Sequence, residues 1–266
     1  MRVLFSVMLA VILLSIPRPS QSGVLMVSEE TSFDNPQLKR TIKMYLDRQK
    51  IRIEMIGEQT EQVMIFRMDL EKFWVINFKD STYMEITKKD LEKMGEQMAE
   101  LKKTMDEKMK EVPPEQRKYL EQMMKGKMSS DRPEIVYEKV AGGQKVNQWD
   151  CDQYAGNLEG ELREDLWTAD WGKIGMTDEN IQALQELAEY FKSFSRQAPS
   201  FFKSATDKSG KRDLGAPVKS IIYRNGEKQR LVQMTEVNQK ELEPELFELA
   251  DKLKKKKMPQ QKVPGR

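Results

Sequence analysis

The chain has 266 residues, 38% of them hydrophobic and 33% charged, which is enough apolar content for one sizeable core and too much for a disordered chain. It holds no histidine, which removes His-dependent nucleophile pairs, the imidazole base and most zinc or non-haem iron sites. Its one cysteine, Cys151, excludes an intrachain disulfide, a Cys-based zinc site and a thiolate-held iron–sulfur cluster.

Charge is segregated along the chain. Residues 252–266 carry seven Lys/Arg and no acid, and the first 22 residues carry Arg2 and Arg18; setting these nine aside from the formal +2 leaves −7 for the middle. Phosphate contacts need a basic face on the folded body, so no nucleic-acid partner is expected.

At the start, Arg2 precedes the uncharged apolar run Val3–Ile16, and Pro17–Ser22 follows with small residues at Ser20 and Ser22. This is the pattern of an export signal cleaved before Gly23, and fourteen residues at ~1.5 Å each fall short of a bilayer core of about 30 Å. Residues 1–22 are therefore expected to be a signal peptide, 23–251 a single periplasmic domain, and 252–266 a basic disordered tail.

From Gly23 to Ile86 the hydrophobic period is two. Ile42, Met44 and Leu46 alternate with Lys43, Tyr45 and Asp47, and Ile51, Ile53 and Met55 with Arg52 and Glu54. Antiparallel strands with one wet face are predicted there. Val63–Met68 and Phe73–Phe78 are apolar at successive positions, as in central strands covered on both faces. Six strands joined by short turns make a meander. Thr87-Lys88-Lys89-Asp90 has the form of a capping box, opening a helix that runs to about Val112 and is broken at Pro113–Pro114. A second helix is predicted over 115–127.

Strands resume at Ile135–Val140, Val146–Tyr154 and Leu162–Ala169, divided at Gly142–Gly143 and at Gly156–Gly160. A third helix starts at Thr177, with Asp178 and Glu179 favourable to its dipole and a face of Ile181, Leu184, Ala188, Phe191 and Phe194. After a loop over 200–213, Asn225-Gly226 supplies the positive φ of a type I′ turn between Val218–Arg224 and Gln229–Val237. A short helix from Glu245 leads into the lysines.

No motif carries catalytic chemistry. Asp150-x-Asp152 flanks Cys151 on what reads as a solvated strand face, without the glycine-containing loop of a calcium hand. Neither a phosphate-cradling glycine loop nor a Gly-x-Ser-x-Gly turn is present. A non-enzymatic protein without cofactor or metal is expected. Cys151 reads as a small buried residue beside Trp149. Methionine is the unusual feature: of 18, eight fall between Met84 and Met128. Leu91, Met94, Met98, Leu101, Met105 and Met109 share one helical face, which packs on a sheet and, being unbranched and polarizable, suits a ligand of variable shape.

Several stretches resemble a known family. Val63–Arg67, Phe73–Asn77, Lys79–Thr87, Val146–Cys151 with Tyr154, and above all Leu166–Gly175 with its Trp-x-Ala-Asp-Trp block are similar to the exported bacterial proteins grouped as domain of unknown function 4412. That family is similar in layout to the lipoprotein-carrier (LolA-type) fold. The resemblance implies an α+β protein with about eleven strands in a curved antiparallel half-barrel, helices covering the concave face. With the methionine stripe, a lipid or acyl chain held under a helical lid is expected, contacted by Met94, Met98, Leu101, Met105, Met109, Trp74 and Phe66, and the clustered charge makes Lys254, Lys255, Lys256 and Lys257 available to an anionic membrane. The alternative is an envelope interaction module, filled inside and bound to a protein partner. A monomer is expected in either case.

Overall fold

The structure, a computed structural model, describes residues 23–58, 60–113, 135–192 and 214–257. The expected signal segment, the helix over 115–127, the loop over 200–213 and residues 258–266 of the tail lie outside these. The first half forms β1 (Gly23–Ser32), β2 (Lys39–Asp47), β3 (Lys50–Gly57), β4 (Thr60–Arg67), β5 (Lys72–Asn77) and β6 (Thr82–Thr87), followed by helix α1 (Lys88–Glu111). The second half forms β7 (Val136–Val146), β8 (Trp149–Leu158), β9 (Glu161–Ala169), helix α2 (Asp178–Lys192), β10 (Ala216–Arg224), β11 (Glu227–Lys240) and β12 (Lys254–Lys255).

All twelve strands join one open sheet in the order β12-β6-β5-β4-β3-β2-β1-β11-β10-β9-β8-β7. Two meanders thus meet at the antiparallel β1–β11 pair, and only β12 runs parallel to its neighbour. The sheet is curved. Asn147, at the β7–β8 turn, donates to the Met234 carbonyl of β11 at 2.8 Å and accepts from Gln233, although β8, β9 and β10 lie between those strands in the sheet. Strands stand ~4.8 Å apart, so a flat sheet would hold these groups well beyond hydrogen-bond reach. Gln239 of β11 likewise reaches the Gly175 carbonyl beyond β9 at 2.8 Å. The architecture is the expected α+β half-barrel with helices on its concave face.

The capping signals form as expected. Thr87 Oγ1 accepts from the Asp90 amide at 3.2 Å while the Asp90 carboxylate accepts from the Thr87 amide at 2.9 Å, and the chain turns extended at Val112, before Pro113. Thr177 and Asn180 repeat the reciprocal pair at the start of α2. Asn225 and Gly226 both adopt positive φ, as a type I′ turn requires. Two glycine readings are corrected. Gly142–Gly143 sit at bulges inside β7, and the turn is Asn147–Gln148, with Asn147 in the left-handed region. Gly156 lies inside β8, where a Cβ would come within 2.7 Å of the Tyr137 ring; the turn follows at Glu159–Gly160.

The two faces of the sheet are covered by different parts of the chain. On the concave face, Val24, Leu46, Ile51, Phe66, Phe73 and Ile86 form a cross-strand row, buried throughout and closed at the β6 end by Leu91 of α1. Leu184 and Leu187 of α2 join the same core with Trp149, Cys151, Trp167 and Trp171. On the convex face, Tyr45, Val63, Ile65, Trp74 and Ile76 make a second cluster with Leu242 and Phe247.

The segment Leu242–Leu253 is thus a strap across the outside of β1–β6. Arg52 donates to the Leu246 carbonyl at 2.9 Å, Arg67 pairs with Glu248, and the Lys50 ammonium stands 5.9 Å from the Phe247 ring centre. Gly23 lies directly under it, since a Cβ there would be 2.4 Å from Leu242 Cδ1. The expected helix from Glu245 is a single 3-10 turn, Pro244–Phe247, because Leu246 and Phe247 are committed to the sheet.

The tail is corrected as well. Residues 252–257, expected to be disordered, include the twelfth strand in a sheet expected to have about eleven. The Lys254 amide donates to Ser81 O at 3.0 Å and the Lys256 amide to Tyr83 O at 2.8 Å. Backbone pairing with the open β6 edge, together with Lys255–Glu85 at 2.7 Å, offsets the mutual repulsion of the lysines. Phe247→Ala is expected to cost ~3–5 kcal/mol and to shift the emission of the uncovered Trp74 to the red, read by urea unfolding and fluorescence.

Candidate functional site

The concave face is not uniformly covered. One residue-pair step along the strands from the buried row lies a second row, Met26, Met44, Ile53, Met64, Val75 and Met84, each directly opposite the next across β1 to β6. Met26, Met44 and Ile53 are buried, whereas Met64, Val75 and Met84 are half-buried. Ile42 and Met55 on the next row are half-buried too, as is Met68 beyond the end of β4. Among the described residues, helix α2 packs on β2 and α1 meets the sheet at β6, and the half-buried positions lie between them. The result is a methionine-rich apolar strip over β3–β6, about 15 Å across at ordinary strand spacing. Three methionines among its lining residues give it the adaptable surface that unbranched thioethers provide.

The residues singled out from the sequence fall in different places. Phe66 is buried one row below the strip, with its ring 6.3 Å from that of Phe73. Met109 is half-buried near the end of α1. Met94, Met98, Leu101 and Met105 lie within the α1 span, but their side chains are outside the described residues. Lys93, Lys103 and Glu107 of the same helix are exposed, as the amphipathic reading requires. Trp74 is a correction. Because Phe73 faces the concave core, the strand alternation turns Trp74 to the convex face, where it lies in the strap cluster and donates to Glu85 at 3.0 Å. The strand methionines 44, 55, 64 and 84 were the missed signal, since the alternation that places Ile42 and Leu46 inward places Met44 inward with them.

Of the four tail lysines, Lys255 pairs with Glu85 on the convex side and Lys256 with Asp80 at 3.2 Å; Lys254 and Lys257 are exposed. Asp150 and Asp152 are each matched by a lysine of β7, Lys145 at 3.2 Å and Lys139 at 2.6 Å, on a solvated face. No group of three or more metal-ligating side chains occurs among the described residues. Cys151 is buried in the concave core near Trp149, and burial, then the charge of the neighbouring aspartates, raises its thiol pKa. No described helix is long and apolar enough to cross a membrane.

Two other features have no signal in the local sequence. Glu164, 3% exposed on the convex side of β9, accepts from Tyr137 and from Ser220, each at 2.5 Å. Burial first, then the Glu164 carboxylate, raises the Tyr137 pKa, so the phenol stays a donor and the trio ties β7, β9 and β10 together. A groove of about 490 Å³ lies along α2, lined by Asp178, Ile181, Gln182, Gln185 and Glu186. Its carboxylates and amides suit polar contacts and not an acyl chain.

No family model matches the chain, and no curated protein does. Among solved structures it is similar to an uncharacterized conserved protein from Thermus thermophilus, at 6% identity and a TM-score of 0.45, covering 90% of this chain and 91% of that one. It is also similar to a LolA superfamily protein from Nitrosomonas europaea, at 8% identity and a TM-score of 0.29, covering 87% of this chain and 91% of that one. The half-barrel assignment accordingly rests on the strand order and curvature above, and the likeness to the exported family stays a resemblance.

The outer clamp has a pH dependence of known sign. The Lys255 ammonium, then the Trp74 indole N–H, hold the Glu85 carboxyl below its ordinary range. Its contribution to stability is complete above the unfolded-state value and is lost as pH falls through the lower folded-state value. Arg67 depresses Asp69 in the same sense. Urea midpoints measured across the acid range should decline in this window, and Glu85→Gln should flatten part of the decline.

Proposed function

We propose that the protein is an exported, periplasmic, non-enzymatic binding protein that holds an apolar or acyl-chain ligand against the Met55–Met64–Val75–Met84 strip, with α1 as its cover. The observation that carries this reading is the gradient along one cross-strand row, buried at Met26 and Met44 and half-buried from Met64 to Met84. An apolar row left half-covered beside a fully buried one has room for an apolar guest without any loss of backbone hydrogen bonds. The helix can lift because Leu91, in its first turn, ties it to the core, and Gly95, where an added Cβ would meet nothing within 4 Å, weakens it by ~1 kcal/mol relative to alanine.

The second reading, an envelope interaction module, draws on the dense packing of Leu184 and Leu187 of α2 with Trp149 and Trp171 in the other half of the same face. The two are separated by titration with a fluorescent fatty acid. Met64→Lys with Val75→Lys should weaken the probe at least about tenfold, equivalent to 1.4 kcal/mol, while the far-ultraviolet sheet signal is kept. Met98→Lys with Met105→Lys tests the cover in the same way. Met55→Leu with Met64→Leu should cost under ~1.5 kcal/mol each and narrow the range of chain lengths bound. Unchanged probe binding in the first double variant would overturn the acyl reading in favour of the interaction module.

A further inference from the structure

The large apolar side chains exposed among the described residues are Phe33, Leu38, Ile56, Leu70, Phe78, Val136 and Val140. Four of the seven crowd one end of the first meander. The β1/β2 turn carries Phe33 and Leu38, 42% and 47% exposed; Ile56 stands at the β3/β4 turn at 39%, and Phe78 at the β5/β6 turn at 37%. An up-and-down meander brings these three turns to the same end of the sheet, and turns two strands apart repeat every ~10 Å. Leu70, in the β4/β5 connection, is at the opposite end.

The same end is where the tail lysines are fixed. The Lys254 amide donates to Ser81 O, and the Lys256 side chain reaches back to Asp80, so Lys254 and Lys256 stand beside the Phe78 turn together with Lys79. Opposing charges at this rim include Asp80, which pairs with Lys256 while both remain about half exposed, Asp34, Glu58 and Glu61 toward the β1–β4 side, where Lys39 and Arg40 stand, and Glu227 of the adjoining β10/β11 turn, where Arg224, Lys228 and Arg230 stand. The rim is thus basic at its β6 edge.

We propose that this rim docks the protein on an anionic lipid bilayer, inserting Phe33, Leu38, Ile56 and Phe78 at the headgroup level with the lysines against acidic headgroups. Three separate tips about 10 Å apart offer no continuous groove to a folded protein, whose stable interfaces need roughly 800 Å² of complementary surface per side. A bilayer has no shape of its own and accepts separate apolar tips, and each basic residue near an acidic leaflet adds to the attraction. The half-buried Ile42 and Met55 lie between this rim and the methionine row, so the docked end is also the end from which the strip is reached. The docking itself does not require that the strip bind anything.

The test is sedimentation of the full-length protein with vesicles of phosphatidylcholine, with and without phosphatidylglycerol. Binding should need the anionic lipid and weaken with added salt. Phe33→Glu with Phe78→Glu should reduce it at least about tenfold. Replacing Lys79, Lys254 and Lys256 by Gln should remove the preference for phosphatidylglycerol, and Leu70→Glu at the far end should change nothing. All these side chains are exposed, so circular dichroism and binding of the soluble fatty-acid probe should be kept. Loss of the probe's binding in wild type with vesicle binding retained would sink the acyl reading alone. Vesicle binding unaffected by the Phe33/Phe78 pair, equally reduced by Leu70→Glu, or absent in wild type would overturn the docking rim.

Discussion

The structure depends on two adjacent strands that are apolar on both faces. Val63 to Phe66 and Phe73 to Ile76 send Phe66 and Phe73 to one side of the sheet and Val63, Ile65, Trp74 and Ile76 to the other. Strand alternation allows no alternative, because successive side chains must point to opposite faces. The sheet therefore has to be covered twice. Helices cover the concave side, and the C-terminal strap covers the convex one. The polar clamps on the strap at Arg52 and Arg67, with the Lys255–Glu85 pair just beyond it, fix where it lies, while Phe247 and Leu242 supply the apolar burial that holds it there.

Curvature then decides which part of the concave face is full. The β7–β8 corner curls inward until Asn147 meets β11, and α2 lies on β2, so the middle of the face is closed by the protein's own side chains. On the β3–β6 side the described cover is α1, whose N-terminal turn is tied to the core through Leu91. A single cross-strand row passes from full burial to half burial over a few strands. The uneven cover, not any polar constellation, is what distinguishes this site. The buried trio of Glu164 with Tyr137 and Ser220 lies on the convex side and braces strands.

Much of this was legible in the sequence, for reasons that are local. Period-two alternation located the first meander, the capping box at Thr87–Asp90 fixed the start of α1, and Asn225-Gly226 fixed the last hairpin. The double-faced strands were visible as well, and their second cover was implied without being located. What failed was non-local. Nothing within Glu245–Lys257 says that Leu246 and Phe247 will lie on β3 and β4, or that Lys254 will find the free edge of β6. The lysine run read as a repelling tail because its backbone partners are about 170 residues away in the chain. The strip was partly missed because the helical methionines at Met94–Met109 are regularly spaced and conspicuous. Met44, Met55, Met64 and Met84 come one to a strand, and only the register brings them side by side.

The proposed binding role requires an apolar guest lying on the β3–β6 part of the concave face. The most direct measurement is photo-crosslinking of the full-length protein with a diazirine-bearing fatty acid, followed by mass-spectrometric mapping of the adducts. The expected adducts fall on Met55, Met64, Val75 and Met84 and on peptides of α1, and they are competed away by unlabelled fatty acid. Adducts confined to the convex strap around Phe247, or scattered over the surface without competition, would contradict it.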